Sequence, residues 1–220
     1  RPIQSVMLDQ RVAHAVRDPD ALWTALSLRA ASIAYDPDIA DASEFDDATA
    51  LADPRFRGEL CLSSSAEPAN RTVIAGMIDR LGVRPAELVV RGWLANLARP
   101  VFESESKLWA AIETGDCGIA LLSNLGAAWL EDSQFAELRS RELMPLYVDI
   151  EGIGIGRHAR NPDGALELVE WLLSEDVQVP HAAAVLAHPA TGDFDGDKNV
   201  GVFAWHDEAA VKLAERALYP

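Results

Sequence analysis

The sequence predicts an α/β protein. Short apolar runs that are typical of buried strands alternate along the chain with amphipathic segments of about 10–15 residues, and this alternation indicates a largely parallel sheet. The clearest strand candidates are ELCL at 59–62 and CGIALL at 117–122. With 220 residues, the chain can bury a substantial core in one domain or in two small ones.

The first half of the chain has distinct start and stop signals. Residues 1–20 are predicted to be irregular, and residues 22–35 to be extended until Asp-Pro-Asp at 36–38 stops them. A helix carries its apolar face through residues 73–81 and ends at Gly82. Ser64 and Glu67 have the spacing of a capping box, with Asn70 as an alternative start.

Two further helices are predicted before the second apolar strand. One begins near Pro85, since proline suits the first helical turn. It is expected to bury Leu88, Val89, Trp93 and Leu97. The other spans about 105–114 and ends at Gly115, directly before CGIALL.

The second half continues the same alternation. Residues 144–156 predict one or two strands. Asn161 is expected to cap a helix that has Pro162 in its first turn, and a last helix is expected over about 207–218.

Composition excludes several classes of function. The formal net charge of −16 disfavours binding to nucleic acid or to anionic membrane surfaces. No apolar run approaches the roughly 18 residues of a membrane span. Arg1 opens a polar segment instead of a signal peptide, so the chain is expected to begin after processing or within a longer protein.

The two cysteines, Cys61 and Cys117, lie in or beside the two apolar strands. A single disulfide in an oxidising compartment and two buried free thiols are both compatible with this placement. Their spacing excludes a CxxC motif.

Two further motifs resemble known kinds of binding site. GIGIG at 152–156 lacks the GxGxxG spacing and is interpreted as a glycine-rich strand. Asp193, Asp195 and Asp197 alternate as oxygen donors and form a candidate divalent-cation site, with a solvated acidic turn as the alternative. The chain shows no nucleophile elbow, no paired-carboxylate signature and no Ser-His-Asp set, so an enzyme is not expected.

Several segments in order resemble the periplasmic ferric-ion-binding proteins of ABC importers, which have the type II solute-binding fold. They are RAASIAYDPD, LADPRFRGELCLSSS, RGWLANLARP, TGDCGIALL, GIGIGRHARNPDGALELVEWLLSEDVQ and DEAAVKLAERALYP. The resemblance implies a solute that is trapped between two α/β lobes and delivered to a membrane permease from the periplasm or cell surface. It also implies neighbouring cysteine strands, and hence a Cys61–Cys117 disulfide.

The resemblance also implies a division of the chain. Residues 37–144 would form one complete lobe with a mostly parallel sheet. Residues 1–36 and 145–190 would be the remnant of the other lobe and its crossovers, because roughly 80 opening residues of the family have no counterpart here. Residues 191–220 would add an acidic loop and a helix.

The tyrosine ligands of ferric ion are missing from the matching positions. When the serine loop is aligned with the family pattern without gaps, Ala69 falls at the position of the first tyrosine. When the strand CGIALL and the residues after it are aligned in the same way, Leu125 and Gly126 fall at the positions of the tyrosine pair. Ferric ion favours anionic oxygen ligands. Ferric ion is therefore implied by the resemblance alone, without its phenolates.

The anion-binding side of the family site is retained. Ser64, Ser65, Asn96 and Ser123 match positions that hold a synergistic anion in the family, and the unpaired N–H groups at a helix start attract anions in general. The alternative is that these serines only cap the helix.

We therefore expect a solute-binding component of an ABC-type importer that has diverged from ferric ion, with a small anion or metal–anion solute. The alternative is a non-transport interaction module on a truncated binding-protein fold. A third possibility is a fragment of a complete binding protein. An incomplete lobe would expose apolar side chains of residues 22–33 and 150–155, so a homodimer or a partner chain is expected to cover them.

Overall fold

A computed structural model describes residues 1–45, 47–123, 138–143, 147–185, 187–191 and 206–220. The helices described are α1 (Val6–Arg11), α2 (Pro68–Leu81), α3 (Val83–Ala95), α4 (Glu105–Glu113), α5 (Pro162–Leu172), α6 (Glu175–Ala184) and α7 (Asp207–Ala217). The strands described are β1 (Trp23–Tyr35), β2 (Leu60–Cys61), β3 (Ile119–Ser123), β4 (Arg139–Glu142), β5 (Val148–Gly154) and β6 (His188–Pro189). Short 3₁₀ turns lie at His14–Val16, Ala42–Glu44, Ala48–Ala52 and Pro54–Phe56.

The chain forms two compact units, Arg1–Arg29 with Asp149–Gly201, and Ala30–Val148 with Val202–Pro220. The chain passes between them within β1 and at the start of β5. The sequence placed the corresponding boundaries at 36/37 and 144/145. The α7 helix packs on α2 and α3 within the second unit.

The sheet of the second unit is mixed. Parallel pairing joins β2 to β3, with Leu60 opposite Ile119, whereas β1 runs antiparallel to β3 and to β4. The expected α/β class is confirmed, but the prediction of a largely parallel sheet is wrong for the described pairings. The reason is β1, a 13-residue strand that pairs antiparallel with β3, β4 and β6.

The core of the second unit lies between this sheet and the helices α2, α3 and α7. On α2 the predicted face is buried, including Val73, Ile74 and Met77, except for Leu81, which is 37% exposed. Gly82 ends the helix with φ +86°. On α3 the predicted face is partly wrong. Leu88 is 70% exposed, and the buried positions are Ala86, Val90 and Trp93.

The first unit begins with more structure than the sequence indicated. Residues 1–20 were predicted to be irregular, yet they contain α1, whose N-cap Ser5 accepts a hydrogen bond from the Leu8 amide through Oγ (3.3 Å). The short length of α1 explains the error, because six residues are too few for an apolar period. The α6 helix was also missed, since Pro180 lies inside it.

Glycines in β5 allow a close approach of the chain within the first unit. A Cβ on Gly154 would lie 2.9 Å from the Leu22 carbonyl oxygen, and a Cβ on Gly152 would lie 3.5 Å from the Trp23 ring. GIGIG therefore supplies a glycine-rich strand, as predicted.

Three of the eight large apolar side chains that were expected to be exposed are buried by their own chain, and four more are partly buried. Leu28 and Ile33 are fully buried and Ile155 is 7% exposed, whereas Leu22 remains 48% exposed. Among the helices of the described residues, none is long and apolar enough to cross a membrane.

Candidate functional site

The candidate site lies at the carboxyl ends of two parallel strands in the second unit. Because β2 and β3 run parallel with Cys61 opposite Ala120, the loop after β2 and the end of β3 meet at one edge of the sheet. This edge brings the serine loop, residues 63–65, to the same side as Ser123. Edges of this kind are where α/β proteins commonly bind ligands.

Two side chains hold the serine loop, one from α2 and one from the residues that follow α7. The Asn70 amide nitrogen donates to the Ser63 carbonyl, the Ser63 hydroxyl and the Ser64 carbonyl, each at 3.0 Å. The Tyr219 hydroxyl donates to the Ser63 carbonyl at 2.7 Å. Asn70 and Tyr219 are almost fully buried, so the loop rests on a fixed polar support.

The backbone N–H groups of the loop already have acceptors. Ser65 donates to the Pro220 carbonyl (2.6 Å), Ala66 to the Ser64 hydroxyl (3.2 Å) and Glu67 to the Ser64 carbonyl (3.0 Å). The α2 helix begins at Pro68 with Glu67 as its N-cap, and the Glu67 side chain makes no capping bond. The predicted capping box of Ser64 and Glu67 is therefore wrong; proline at the first helical position moved the start.

Glu105, which was not among the predicted site residues, accepts hydrogen bonds from both donors of Ser123. Its Oε1 accepts from the Ser123 amide (3.1 Å) and from the Ser123 hydroxyl (2.8 Å). Burial raises the pKa of the Glu105 carboxyl, the Ser123 hydrogen bonds lower it, and the negative charge of Glu67 raises it again. The Glu105 amide in turn donates to Glu67 Oε1 at 3.4 Å, so Glu105 connects Ser123 to the end of the serine loop.

Asn96 lies away from this edge. Its side-chain nitrogen donates to the carbonyls of Leu51 (2.9 Å) and Asp53 (2.7 Å), and its carbonyl accepts from Gly58 and Leu60 at the start of β2. The structure thus brings Ser64, Ser65 and Ser123 to one edge of the sheet and places Asn96 beside its opposite end.

No phenolate is available among the described residues at this site. Ala69 packs its methyl group against the core of the second unit. The three tyrosines, Tyr35, Tyr147 and Tyr219, are buried. Burial raises the pKa of Tyr147 and of Tyr219 above the ordinary value of 10.0, and the carboxylates of Asp47 and Glu67, respectively, add to the shift.

The remaining predicted residues fall into two groups. Leu125, Gly126, Asp193, Asp195 and Asp197 lie outside the described residues. Within the described ranges, no group of three or more His, Cys, Asp or Glu side chains is arranged to hold a metal ion. Cys61 and Cys117 form the expected disulfide, with their Cα atoms 5.7 Å apart, and tie β2 to the residues that precede β3.

Comparison with known proteins confirms the resemblance. No family model matches the chain. Iron uptake protein A1 of Synechocystis sp. (strain ATCC 27184 / PCC 6803 / Kazusa) is 25% identical over 214 residues, which cover 92% of this chain and 59% of that protein. The chain therefore spans less than two thirds of the length of this relative.

Solved structures give the same result. The structure of Trichodesmium FutA (IdiA) in complex with iron and citrate matches with a TM-score of 0.88 and 24% identity, over 100% of this chain and 77% of that chain. The Bordetella ferric binding protein matches with a TM-score of 0.85 and 25% identity, also over 100% and 77%. The chain thus has the fold of the ferric-ion-binding proteins of ABC importers.

Proposed function

We propose that the chain belongs to the solute-binding component of an ABC-type importer and carries a solute other than ferric ion held by tyrosinates. The similarity to iron uptake and ferric-binding proteins over nearly the whole chain supports the transport role. The observation that carries the divergence from iron concerns Ala69, which the match to the family pattern places where the first phenolate belongs and whose methyl group packs against the core. A methyl group cannot supply the anionic oxygen that ferric ion favours.

The proposed solute is a small anion, or a metal–anion pair, at the edge formed by Ser64, Ser65 and Ser123. The hydroxyl groups of this edge and the start of α2 are of the type that binds anions. Asn96 is not part of the proposal, because its amide donates to backbone carbonyls.

Glu105 makes this proposal testable. The Glu105 carboxylate already accepts both hydrogen bonds of Ser123, so an anion must displace it or bind when it is protonated. An anion and an ionised Glu105 at the same donors repel one another. Anion affinity is therefore expected to rise as the pH falls towards the range in which Glu105 takes up a proton.

The experiment combines identification with titration. Native mass spectrometry of protein purified from its own source is expected to reveal a bound solute. Calorimetric titration with phosphate or carbonate at pH 8 is expected to give roughly tenfold tighter binding to Glu105→Gln than to the unaltered protein, since one charge repulsion of about 1.4 kcal/mol is removed. Ser43→Ala, at a serine of a 3₁₀ turn outside the site, serves as the control. Absence of a copurified solute together with equal, undetectable anion binding by both proteins would overturn the proposal.

The proposed compartment is the periplasm or the cell exterior, and the proposed partner is an ABC permease. The Cys61–Cys117 disulfide supports the compartment, because such bonds persist in oxidising surroundings.

A second candidate function is a non-transport interaction module. Exposed apolar side chains on the helices of the first unit favour it, namely Leu168 (52% exposed), Trp171 (58%) and Val179 (62%). Such side chains on a surface are typical of contacts with another chain. Trp171→Glu is expected to abolish a partner contact while leaving solute binding unchanged, which separates the two functions.

A further inference from the structure

A cavity of about 390 Å³ is lined by described residues that all belong to the first unit. The N-terminal segment and the start of β1 form its walls, and its lining includes Leu8, Arg17 and Thr24. The volume lies in the lower part of the range of about 300–1,000 Å³ that small-molecule sites occupy. The serine loop and Glu105 belong to the other unit, so this cavity is separate from the site described above.

Two buried polar atoms of the lining have no hydrogen-bond partner in the part of the chain that the structure describes. They are the Thr24 hydroxyl oxygen and the Arg17 Nε. Thr24 is 2% exposed, and the Arg17 side chain is 12% exposed. A buried donor without a partner costs roughly 1–3 kcal/mol, so both atoms indicate a missing acceptor.

The side chains that carry the two donors lie on the same side of an antiparallel bridge. Arg17 and Thr24 are opposite one another in an antiparallel bridge. Directly opposite residues in such a bridge carry their side chains on the same side, with Cβ atoms about 4.5–5.5 Å apart. One acceptor group of two oxygen atoms can therefore serve both donors.

The other charged groups of the lining are already engaged. Arg17 Nη1 donates to Asp9 Oδ1 (2.6 Å), and Arg17 Nη2 contacts the His14 ring nitrogen Nδ1 (3.1 Å). Asp18 Oδ2 accepts from the Leu22 amide (2.8 Å). The guanidinium group has five N–H donors, so its Nε edge can still bind a second carboxylate.

We propose that this cavity binds a short-chain monocarboxylate. Its carboxylate would accept from Arg17 Nε and the Thr24 hydroxyl, which satisfies both buried donors with a charge-assisted pair. Its hydrocarbon chain would lie against Leu8 and Ile3, which are 3% and 8% exposed. Among the described lining residues the guanidinium group comes from Arg17, and since its Nη1 is paired with Asp9, its Nε edge is the part left for a ligand carboxylate.

Calorimetric or NMR titration with butyrate tests the proposal. Saturable binding with a dissociation constant on the order of 1 mM is expected for a ligand of about six heavy atoms. Thr24→Val, which keeps the side-chain shape, is expected to weaken butyrate binding at least about tenfold through the lost hydrogen bond to a charged group. The same change is expected to leave the melting temperature unchanged or raised, because the hydroxyl has no partner within the described chain.

Matched controls separate this cavity from other effects. Ser43→Ala, in a 3₁₀ turn outside both sites, is expected to leave butyrate binding unchanged. Butanol is expected not to bind, since it lacks the charge. Absence of saturable butyrate binding, which would mean that water alone meets the two donors, overturns the proposal. Equal butyrate affinity of Thr24→Val and the unaltered protein, or equal affinity for butanol, overturns it as well.

Discussion

The carboxylate of Glu105 reduces the number of free hydrogen-bond donors at the edge of the sheet, because it accepts from Ser123. Ser123 was selected from the sequence as a hydrogen-bond donor to an anion, and in the fold both of its donors point to Glu105 Oε1. The two residues are 18 positions apart, one in the first turn of α4 and the other at the end of β3. Their contact depends on how the helix packs on the sheet, so no local pattern could have predicted it.

Replacing Glu105 by glutamine is expected to stabilise the protein at neutral pH. Burial raises the pKa of the Glu105 carboxyl above its ordinary value of 4.5. A raised pKa in the folded state means that the contribution of this group to stability is fully present below pH 4.5 and is lost as the pH rises through the raised value. The melting temperature of Glu105→Gln should therefore exceed that of the unaltered protein at pH 7.5, and the difference should shrink towards pH 4.5. An equal difference at both pH values would contradict this assignment.

Ferric ion should produce no phenolate charge-transfer colour. The buried tyrosines Tyr147 and Tyr219 have raised pKa values and hydrogen-bond within the second unit, and Ala69 supplies no oxygen. Titration with ferric citrate should leave the visible spectrum unchanged, while a tyrosinate-type ferric-binding protein measured in parallel develops its band. A visible band with stoichiometric binding would show that other residues provide phenolates.

The disulfide is expected to contribute about 4 kcal/mol to the free energy of unfolding. Cys61 and Cys117 are 56 positions apart. In the chain-entropy model, closing a loop of this length lowers the conformational entropy of the unfolded chain and so raises its free energy by that amount. Urea unfolding with and without a reductant measures the difference, and thiol titration of the unfolded, unreduced protein should find no free thiol. Two titratable thiols would contradict the bond.

At the scale of elements, α3 shows how packing selects one face of an amphipathic helix. Trp93 is buried as predicted, whereas Leu88 is exposed and Ala86 and Val90 face the core in its place. These buried positions follow the helical spacing of four and three residues. The Trp93 indole N–H donates to the Ala48 carbonyl at 3.0 Å, which fixes the rotation of the helix against the turn at Ala48–Ala52.

Gly92 is required for the close packing of α3. A Cβ at this position would lie 2.6 Å from the Ala52 Cβ and 3.1 Å from the Ala52 Cα. Gly92→Ala should therefore destabilise the protein by about 1–3 kcal/mol, because the overpacking outweighs the gain in helix propensity of about 1 kcal/mol. Chemical denaturation measures this, with Arg84→Ala on the exposed start of the same helix as a control that should change stability by less than about 0.5 kcal/mol. Unchanged or increased stability of Gly92→Ala would show that the turn can move away.

At the scale of the whole molecule, both units leave some large apolar side chains exposed, such as Leu88 and Leu218 in the second unit. The second unit surrounds its core with α2, α3 and α7 on the sheet. The first unit covers Leu28 but leaves Val6, Leu168, Trp171 and Val179 more than half exposed. Leu168 and Trp171 are three positions apart on α5, so they lie on one face of that helix and are candidate positions for a contact with a second chain.

We expect a homodimer or a complex with a partner chain through the first unit. Light scattering of the purified protein at increasing concentration should approach about twice the chain mass of 23.8 kDa, or reach the expected mass when the partner is added. Trp171→Glu should shift the protein to the monomer, whereas Val211→Glu, which changes a 40% exposed position in the second unit, should not. A monomer at every concentration, with no partner recovered from the native source, would argue against the interface.

The sequence by itself determined the α/β class and most helix ends, because these depend on local signals: the run of apolar residues in β3, the left-handed Gly82 after α2, and Asn161, whose side chain accepts from the Gly164 amide at 3.0 Å. The type II fold and the disulfide were implied by the resemblance of several segments in order to a known family, and not by any local pattern. Only the tertiary structure decided the antiparallel partners of β1, the exposure of Leu88 and the pairing of Glu105 with Ser123. Each of these depends on which distant segments pack together. Segments that are far apart in sequence pack together when their side chains become buried against one another. The hydrophobic periodicity of one segment does not show which other segment will cover it.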